Sequence, residues 1–577
     1  MTITQPSGTK PGLAINLVGV AFFLGQIAVL PGAISAFRLP KEAVVLAALS
    51  LAAGIGGARK LSRGSLRLPY SPLLAVLLAL PLLQAVSALW SASPRRALES
   101  SLLTLIWMAG VAWIAGLEPA SRRRLLVFAA SGAALSALVM LTQTAGARIP
   151  GLSVGSADSR LLLTGLTGNP SDLAMASVLL VPLLLVWGAA SKNRSFYRAL
   201  AVLLALAAAV TRSLTGLAAL VALLVVRLVQ QRSRKLTLVT LGVGCVILVI
   251  ALATGLGGRI RLGLERVRTG NWYALASARG DGWSAAFEMI RERPLTGVGA
   301  ANFTQLYYPS RLAWLTRHGE VGRRGELASH FEWTHCDPLQ MQAELGLLGL
   351  LWMVALVVVL VRMRARAGPL LPLAAAAAAP FLILHYPTHI AVGLVPIVLV
   401  LAELVAADSK GVADPNTWRG RRALAAFMVV LALLGAGWQL RRVALDLWMG
   451  GLEQRLLISQ AADNGQRKRM AAAVEAQVLA RIGRLKGAAP ALWRTVGRAR
   501  LLRGEPRGAE AAFRTAAASW PHEDADFYLG LSLAAQGRRS EALAVLGRVC
   551  RTNPALIDLI NQPDLRQAVT DMVAVYR

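Results

Sequence analysis

Three basic side chains, far apart along the chain, have the chemistry of group transfer to a hydroxyl. His335 lies in EWTHCDPLQMQAELGLLGLL, just ahead of an apolar helix. An imidazole with an ordinary pKa of about 6.5 can take a proton from a hydroxyl at neutral pH. Arg279 opens RGDGWSAAFEMIRERPLTGVGAANF, and Arg212 interrupts ALAAAVTRSLTGLAALVALL. A guanidinium presents a planar fork of donors that matches phosphate oxygens, so Arg212 and Arg279 together could hold a pyrophosphate without metal. An arginine costs about 2.5–3.5 kcal/mol at the centre of a membrane helix, so Arg212 must reach outward or meet an anion. The plainer readings are an interfacial anchor for Arg212 and a capping histidine for His335.

The neighbours of these residues suggest second roles. Asp337 and Gln340 could orient the His335 ring or bind sugar hydroxyls. Asn169, in LLLTGLTGNPSDLAMAS, caps a helix that Pro170 starts, with substrate contact as the lesser reading. No metal site is expected: His330 and His335 do not share a helical face, and Glu332 and Asp337 are scattered around them. His385 and His389, in LHYPTHI, line the membrane interface or the pocket. Cys245, Cys336 and Cys550 are too far apart in sequence to imply a disulfide framework or a zinc site. Cys336 adjoins His335, but adjacent helical residues point apart and do not pair.

The elements that must position these residues are membrane helices. Of 577 residues, 55% are hydrophobic and 16% charged, the composition of a polytopic membrane protein. Apolar runs predict thirteen spans, at roughly 12–36, 42–57, 70–90, 98–117, 124–145, 170–190, 198–211, 213–230, 235–256, 340–361, 369–385, 389–407 and 423–440. The short basic loops at 58–67, 121–124, 191–198, 227–235, 362–366 and 419–422 then fall on one side, as the positive-inside rule requires. That bias accounts for the net charge of +31; without a basic and aromatic stripe, nucleic acid is not an expected partner. The opposite face receives the turn at 37–41, the 91–96 and 146–169 loops, the long 257–339 segment and the carboxy-terminal region. In a bacterial inner membrane that face is periplasmic. A segment as long as 257–339 exceeds what connectivity needs and reads as functional. Within it, a helix is expected from near Asp281 as N-cap, with Trp283, Ala286, Phe287 and Ile290 on its apolar face.

After Arg442 the composition turns helical without membrane-length runs. Trp493, Val496, Gly497, Gly504, Ala509, Phe513 and Pro521 recur thirty-three residues later as Asp526, Leu529, Gly530, Gly537, Ala542, Leu546 and Pro554. The pattern resembles the tetratricopeptide repeat. The expected organisation is a polytopic membrane domain over 1–442 and a periplasmic α-helical repeat domain over 443–577.

Taken jointly, GNPSDLA, TRSLTG, RGDGW with PLTGVGAANF, and THCDPLQMQAELGLLGLL resemble the O-antigen ligase and polymerase superfamily of membrane glycosyltransferases over residues 90–405. The resemblance implies an all-α polytopic membrane helix bundle of about 12–13 transmembrane helices, like the C-type glycosyltransferases. It places Arg212, Arg279 and His335 against an undecaprenyl-pyrophosphate-linked glycan. It further implies metal-independent, inverting transfer at the periplasmic face, without a cofactor, the arginines stabilising the departing pyrophosphate and His335 deprotonating the acceptor. The chain departs from the family pattern in carrying Cys336 where asparagine is common, and Thr211-Arg212-Ser213 where Ser-Arg-Gly is usual.

The acceptor is left open among lipid A core, another glycan repeat unit and a protein hydroxyl, so ligase, polymerase and protein O-oligosaccharyltransferase all fit. Membrane lipids are further partners, and the repeats suit a protein partner or the acceptor. From another class, a transporter needs carboxylates within the spans, and Glu403 is the exception to their near absence. A membrane-tethered scaffold would leave the long loop unexplained.

Overall fold

The computed structural model describes residues 12–63, 68–148, 162–231, 233–271, 276, 279–319, 331–409, 411–413, 420–485 and 489–575. His330 and residues 149–161 lie outside the described residues. Twenty-two α-helices form among the described residues, with one two-residue antiparallel pairing of Leu68–Pro69 and Val412–Ala413. Eight helices are long and apolar enough to cross a bilayer, and four shorter apolar ones accompany them. The protein is an all-α, multi-pass membrane helix bundle.

Each expected span holds a helix: α1 (Leu13–Ile27), α2 (Leu39–Ser62), α3 (Pro72–Val86), α4 (Pro94–Ala115), α5 (Pro119–Thr144), α6 (Pro170–Ala189), α7 (Arg194–Val210), α8 (Leu214–Gln230) and α9 (Arg234–Ala251). Between α9 and the later spans lie α10 (Gly257–Arg268), α11 (Arg279–Glu292) and α12 (Phe303–His318). Then come α13 (Asp337–Ala367), α14 (Leu370–Leu384), α15 (Ala391–Asp408) and α16 (Arg421–Ala461). Pro72, Pro94, Pro119, Pro170 and Pro338 occupy first turns, where a missing N–H costs nothing.

Apolar on all sides, α6 is buried along most of its length and packs against α5, α7, α8, α14 and α15. It fixes the end of the bundle at which its N-terminus emerges. The carboxylate of Glu403 is paired with Arg122 at 2.9 Å, so it is not a lone intramembrane acid.

Small residues let α2 and α16 approach closely: a Cβ on Gly54 would sit 2.4 Å from that of Ala432, and one on Gly435 would sit 3.0 Å from the Ser50 hydroxyl. The 41 residues of α16 span about 60 Å, twice the hydrocarbon thickness of about 30 Å. Its second half therefore stands clear of the membrane. It carries α17 (Asn464–Ile482), α18 (Ala489–Arg503), α19 (Pro506–Ser519), α20 (Glu523–Ala535), α21 (Arg539–Thr552) and α22 (Pro563–Ala574). In the α18–α19 hairpin Gly497 lies under the ring of Phe513, and in the α20–α21 hairpin Gly530 lies under Leu546.

The long segment and this tail share one apolar core, in which Ala286, Met289 and Phe303 pack with Phe527, Leu546 and Ile560. Across the same junction the Tyr308 hydroxyl meets Asp526 Oδ2 at 2.9 Å. The two regions therefore lie on one side of the membrane.

The sequence expectation for the helix after Arg279 needs correction. It begins at Arg279 itself, and Asp281 lies inside its first turn, pairing with Arg311 at 2.5 Å. Phe287 points out, half exposed, while Gly282, Ala285, Ala286 and Met289 face inward. That face also carries Asp281 and Glu288. Burying them is possible because Arg311 answers the first and Arg291 and Arg317 the second. An apolar count alone misplaces such a face.

Candidate active site

The turn Thr334–Cys336 delivers His335. Its backbone is left-handed, with φ +58°, and among the described residues only Arg212 and Ala301 share that state without being glycine. Such a backbone costs a non-glycine residue energy and is held only where its surroundings insist. Here the Thr334 hydroxyl donates to the Cys336 carbonyl at 2.7 Å and accepts from the Cys336 N–H at 3.1 Å, while Gln340 Oε1 accepts from the Thr334 N–H at 3.1 Å. The other end of the Gln340 amide donates to Glu344 at 3.0 Å. Gln340 thus shapes the turn and does not touch the imidazole through these bonds.

The His335 ring sits edge-on to Tyr386 and Phe331, with centroids 4.6 and 5.5 Å away, and 5.9 Å from the ring of His385. Its Nδ1 is buried without a hydrogen-bond partner. Burial, then the positive charge of Arg279, press its pKa down to about 2, with His385, Arg38 and His389 adding to the effect. The base is held neutral.

Arg279 sits at the start of α11, donating from Nη1 to the Ala276 carbonyl at 3.1 Å, and its Nε is buried without a partner. Burial lowers its pKa, an effect Tyr386 opposes. A second guanidinium arrives from an unexpected place: Arg38, in the turn before α2, donates to the Tyr386 hydroxyl at 2.6 Å. It lies 4.9 Å from the centre of the Trp333 ring and reaches Glu332 at 3.4 Å. Burial works against its charge, but Tyr386, Asp172 and Glu332 outweigh it and raise its pKa.

Two carboxylates back the histidines. Asp172, buried in the first turn of α6, meets His385 Nε2 at 2.9 Å. Asp337 accepts from the Thr388 hydroxyl at 2.7 Å and stands 3.2 Å from His389 Nδ1. Burial would depress the His389 pKa, yet the Asp337 bond and charge override it and raise the value. Asn169 acts as the cap of α6, its Oδ1 accepting from the Ser171 N–H at 2.8 Å.

Arg212 lies at the same end of the bundle. The hydroxyl of its neighbour Ser213 is 3.4 Å from that of Ser171, one residue from Asp172. Its guanidinium packs over Gly255, at the bend between α9 and α10, where a Cβ would lie 2.9 Å from Cζ. The structure thus brings His335 and Arg279 into one cluster and sets Arg212 on its flank.

Residues 199–354 match the family model described as "O-Antigen ligase". Over those residues the chain is similar to the O-antigen ligase family. No curated protein matches it. Arg212, Arg279 and His335 all lie within the O-antigen ligase match, whereas Arg38, Asp172 and Tyr386 lie outside it. Sequence reasoning missed Arg38 and Tyr386 as parts of the site. One signal was available: Arg38 breaks the charge bias of its side of the membrane as Arg212 does, in a turn only a few residues long.

Proposed function

We propose that this O-antigen ligase-like chain is a glycosyltransferase. It moves a glycan from undecaprenyl pyrophosphate to an acceptor hydroxyl at the periplasmic face of a bacterial inner membrane. The observation that carries this reading is the His335–Arg279 pairing: an imidazole with a free, buried nitrogen beside a guanidinium whose Nε is also unmatched. The acceptor oxygen attacks the anomeric carbon as the bond from that carbon to the pyrophosphate oxygen breaks. The electron pair leaves on the pyrophosphate, and the acceptor proton passes to His335. Preformed positive charge where the leaving group gains negative charge is the largest help a protein gives such a step. Arg279 supplies it from one side and Arg212 from the flank, without a metal. A donor pyrophosphate beside Arg279 also offsets the charge that holds the His335 pKa down, so binding the donor strengthens the base.

In the same reading, residues 1–442 form the membrane domain and 443–577 a tetratricopeptide-like domain on the periplasmic side. An O-antigen ligase-like activity is the leading assignment, with polymerase and protein O-oligosaccharyltransferase as variants of the same chemistry, and the acceptor is open among lipid A core, another glycan repeat unit and a protein hydroxyl. His335→Ala and Arg279→Ala should each abolish transfer from a defined lipid-pyrophosphate glycan by purified protein, at unchanged protein yield. Full activity in both variants would remove the assignment.

A further inference from the structure

Two cavities adjoin beside the candidate site, and the chemistry above uses neither. The first, of about 350 Å³, is bounded by Arg38, Glu332, Trp333, His389, Arg442 and Asp446. The second, of about 610 Å³, lies between the 32–34 turn, α16 and the tail, among Glu453, Gln454, Arg494, Arg498, Asp524 and Tyr528. Met449 lines both. Each volume falls in the range of about 300–1,000 Å³ typical of ligand sites.

The first cavity backs onto the reacting cluster: the Trp333 ring lies 4.8 Å from that of Tyr386, which also contacts His335, and 5.8 Å from that of His389. The second mixes apolar and polar walls and is balanced in charge. Arg498 pairs with Glu453 at 2.5 Å and lies 5.6 Å from the centre of the Tyr528 ring. Arg494 feels Asp524 and Glu453, yet its Nη1 is buried with no hydrogen-bond partner. A buried N–H without an acceptor is costly and marks where a ligand oxygen belongs. Cations matched by carboxylates do not favour an anion. Donors, acceptors and an aromatic face together suit a ligand rich in hydroxyls.

We propose that these adjoining cavities bind the uncharged saccharide chain of the acceptor, leading its terminal hydroxyl past Trp333 toward His335. The assignment to the acceptor rests on the transfer reading; the presence of a saccharide site does not. The donor's pyrophosphate must lie beside Arg279, whereas this cleft is walled by the part of α16 beyond the membrane and by the tail, where a saccharide chain and not a lipid anchor would reach.

The test uses the full chain in lipid nanodiscs. The probes are short neutral oligosaccharides released from the host's surface polysaccharide, with inorganic pyrophosphate as contrast. Arg494→Ala removes the unmatched donor, and Ala491→Trp, at a residue that lines the second cavity, fills it without removing any charge. Both should weaken oligosaccharide binding by about 10- to 100-fold, raise the acceptor KM to match, and leave the donor KM and pyrophosphate binding unchanged. His335→Ala should abolish transfer while keeping oligosaccharide binding. Absence of binding to the unaltered protein, unchanged binding in both variants, or a rise in donor KM instead would overturn the proposal. Intact transfer in His335→Ala with saccharide binding still lost in the cleft variants would overturn the catalytic reading alone.

Discussion

At the scale of single residues, the unliganded site is poised against its own base. Burial and the Arg279 charge keep His335 neutral far below its ordinary value of 6.5. The sign is fixed: a depressed imidazole pKa means the ring stays unprotonated as pH falls through 6.5 and takes up its proton only near 2. In full-length protein with ring-15N histidine, the resonances lost in His335→Gln should therefore not shift between pH 8 and pH 5. Adding pyrophosphate, or Arg279→Gln without ligand, should move that titration upward from its acid extreme, while burial, the larger cause, keeps it below 6.5. Titration of His335 near 6.5 in the free protein would defeat the idea. Arg212 and His335 stand out in the sequence because each interrupts or abuts an apolar run, where charge is expensive, and Arg279 because RGDGW opens a helix after a glycine-and-charge-rich segment. Arg38 and Tyr386 are not, since each comes from a short turn distant in sequence, and no periodicity joins single residues across such gaps.

At the scale of elements, the motif PLTGVGAANF acquires a structural meaning that its composition does not convey. Inside α13 the helix breaks at Gly346, with φ +58°, and the loop after α11 docks into the break. The Leu347 N–H donates to the Leu295 carbonyl, the Val298 N–H to Ala343 and the Gly299 N–H to Glu344, all near 3 Å. The Glu344 carboxylate accepts from the Ala301 N–H at 2.7 Å. This seam sets the short first part of α13, and with it the His335 turn, against α11. A Cβ on Gly346 would lie 2.5 Å from the Leu295 carbonyl oxygen, and one on Gly297 would lie 2.4 Å from that of Glu344. Both obstacles are backbone and cannot rotate away. With φ +58° and ψ −139° Gly346 lies in a region open almost only to glycine, where an alanine costs about 1–3 kcal/mol before any clash, so Gly346→Ala should lower the yield of folded protein and its unfolding temperature in detergent. An unchanged unfolding temperature would show the seam to be dispensable. The apolar helices could be read from hydropathy because a bilayer calls for long apolar runs, eight of them long enough to cross it; the seam could not, because two glycines announce a close approach without naming the partner.

At the scale of the whole molecule, the length of α16 places the tail where it caps the helices that present Arg279. Glu523 reports on that junction. It is 4% exposed, and burial raises its pKa from the ordinary 4.5 to about 8. Asp524 and, across the junction, Asp281 push the same way, against hydrogen bonds from Thr552 and Asn553. A carboxyl whose folded pKa is raised contributes stability that is complete below 4.5 and is lost as pH climbs through 8. His522 beside it acts in the opposite sense, its pKa driven down to about 3 by burial and by Arg494. Its contribution changes only below 6.5, so of these two neighbours only Glu523 titrates between 6.5 and 8. Over that interval the unfolding temperature of the tail should fall with rising pH. Glu523→Gln, which keeps the hydrogen-bonding shape and cannot ionise, should flatten the trend and gain several degrees at pH 8. If the junction also holds the site together, loss of transfer above pH 8 should be milder in Glu523→Gln than in the unaltered chain. Identical pH profiles for unfolding in the two proteins would mean that Glu523 is already ionised at neutral pH.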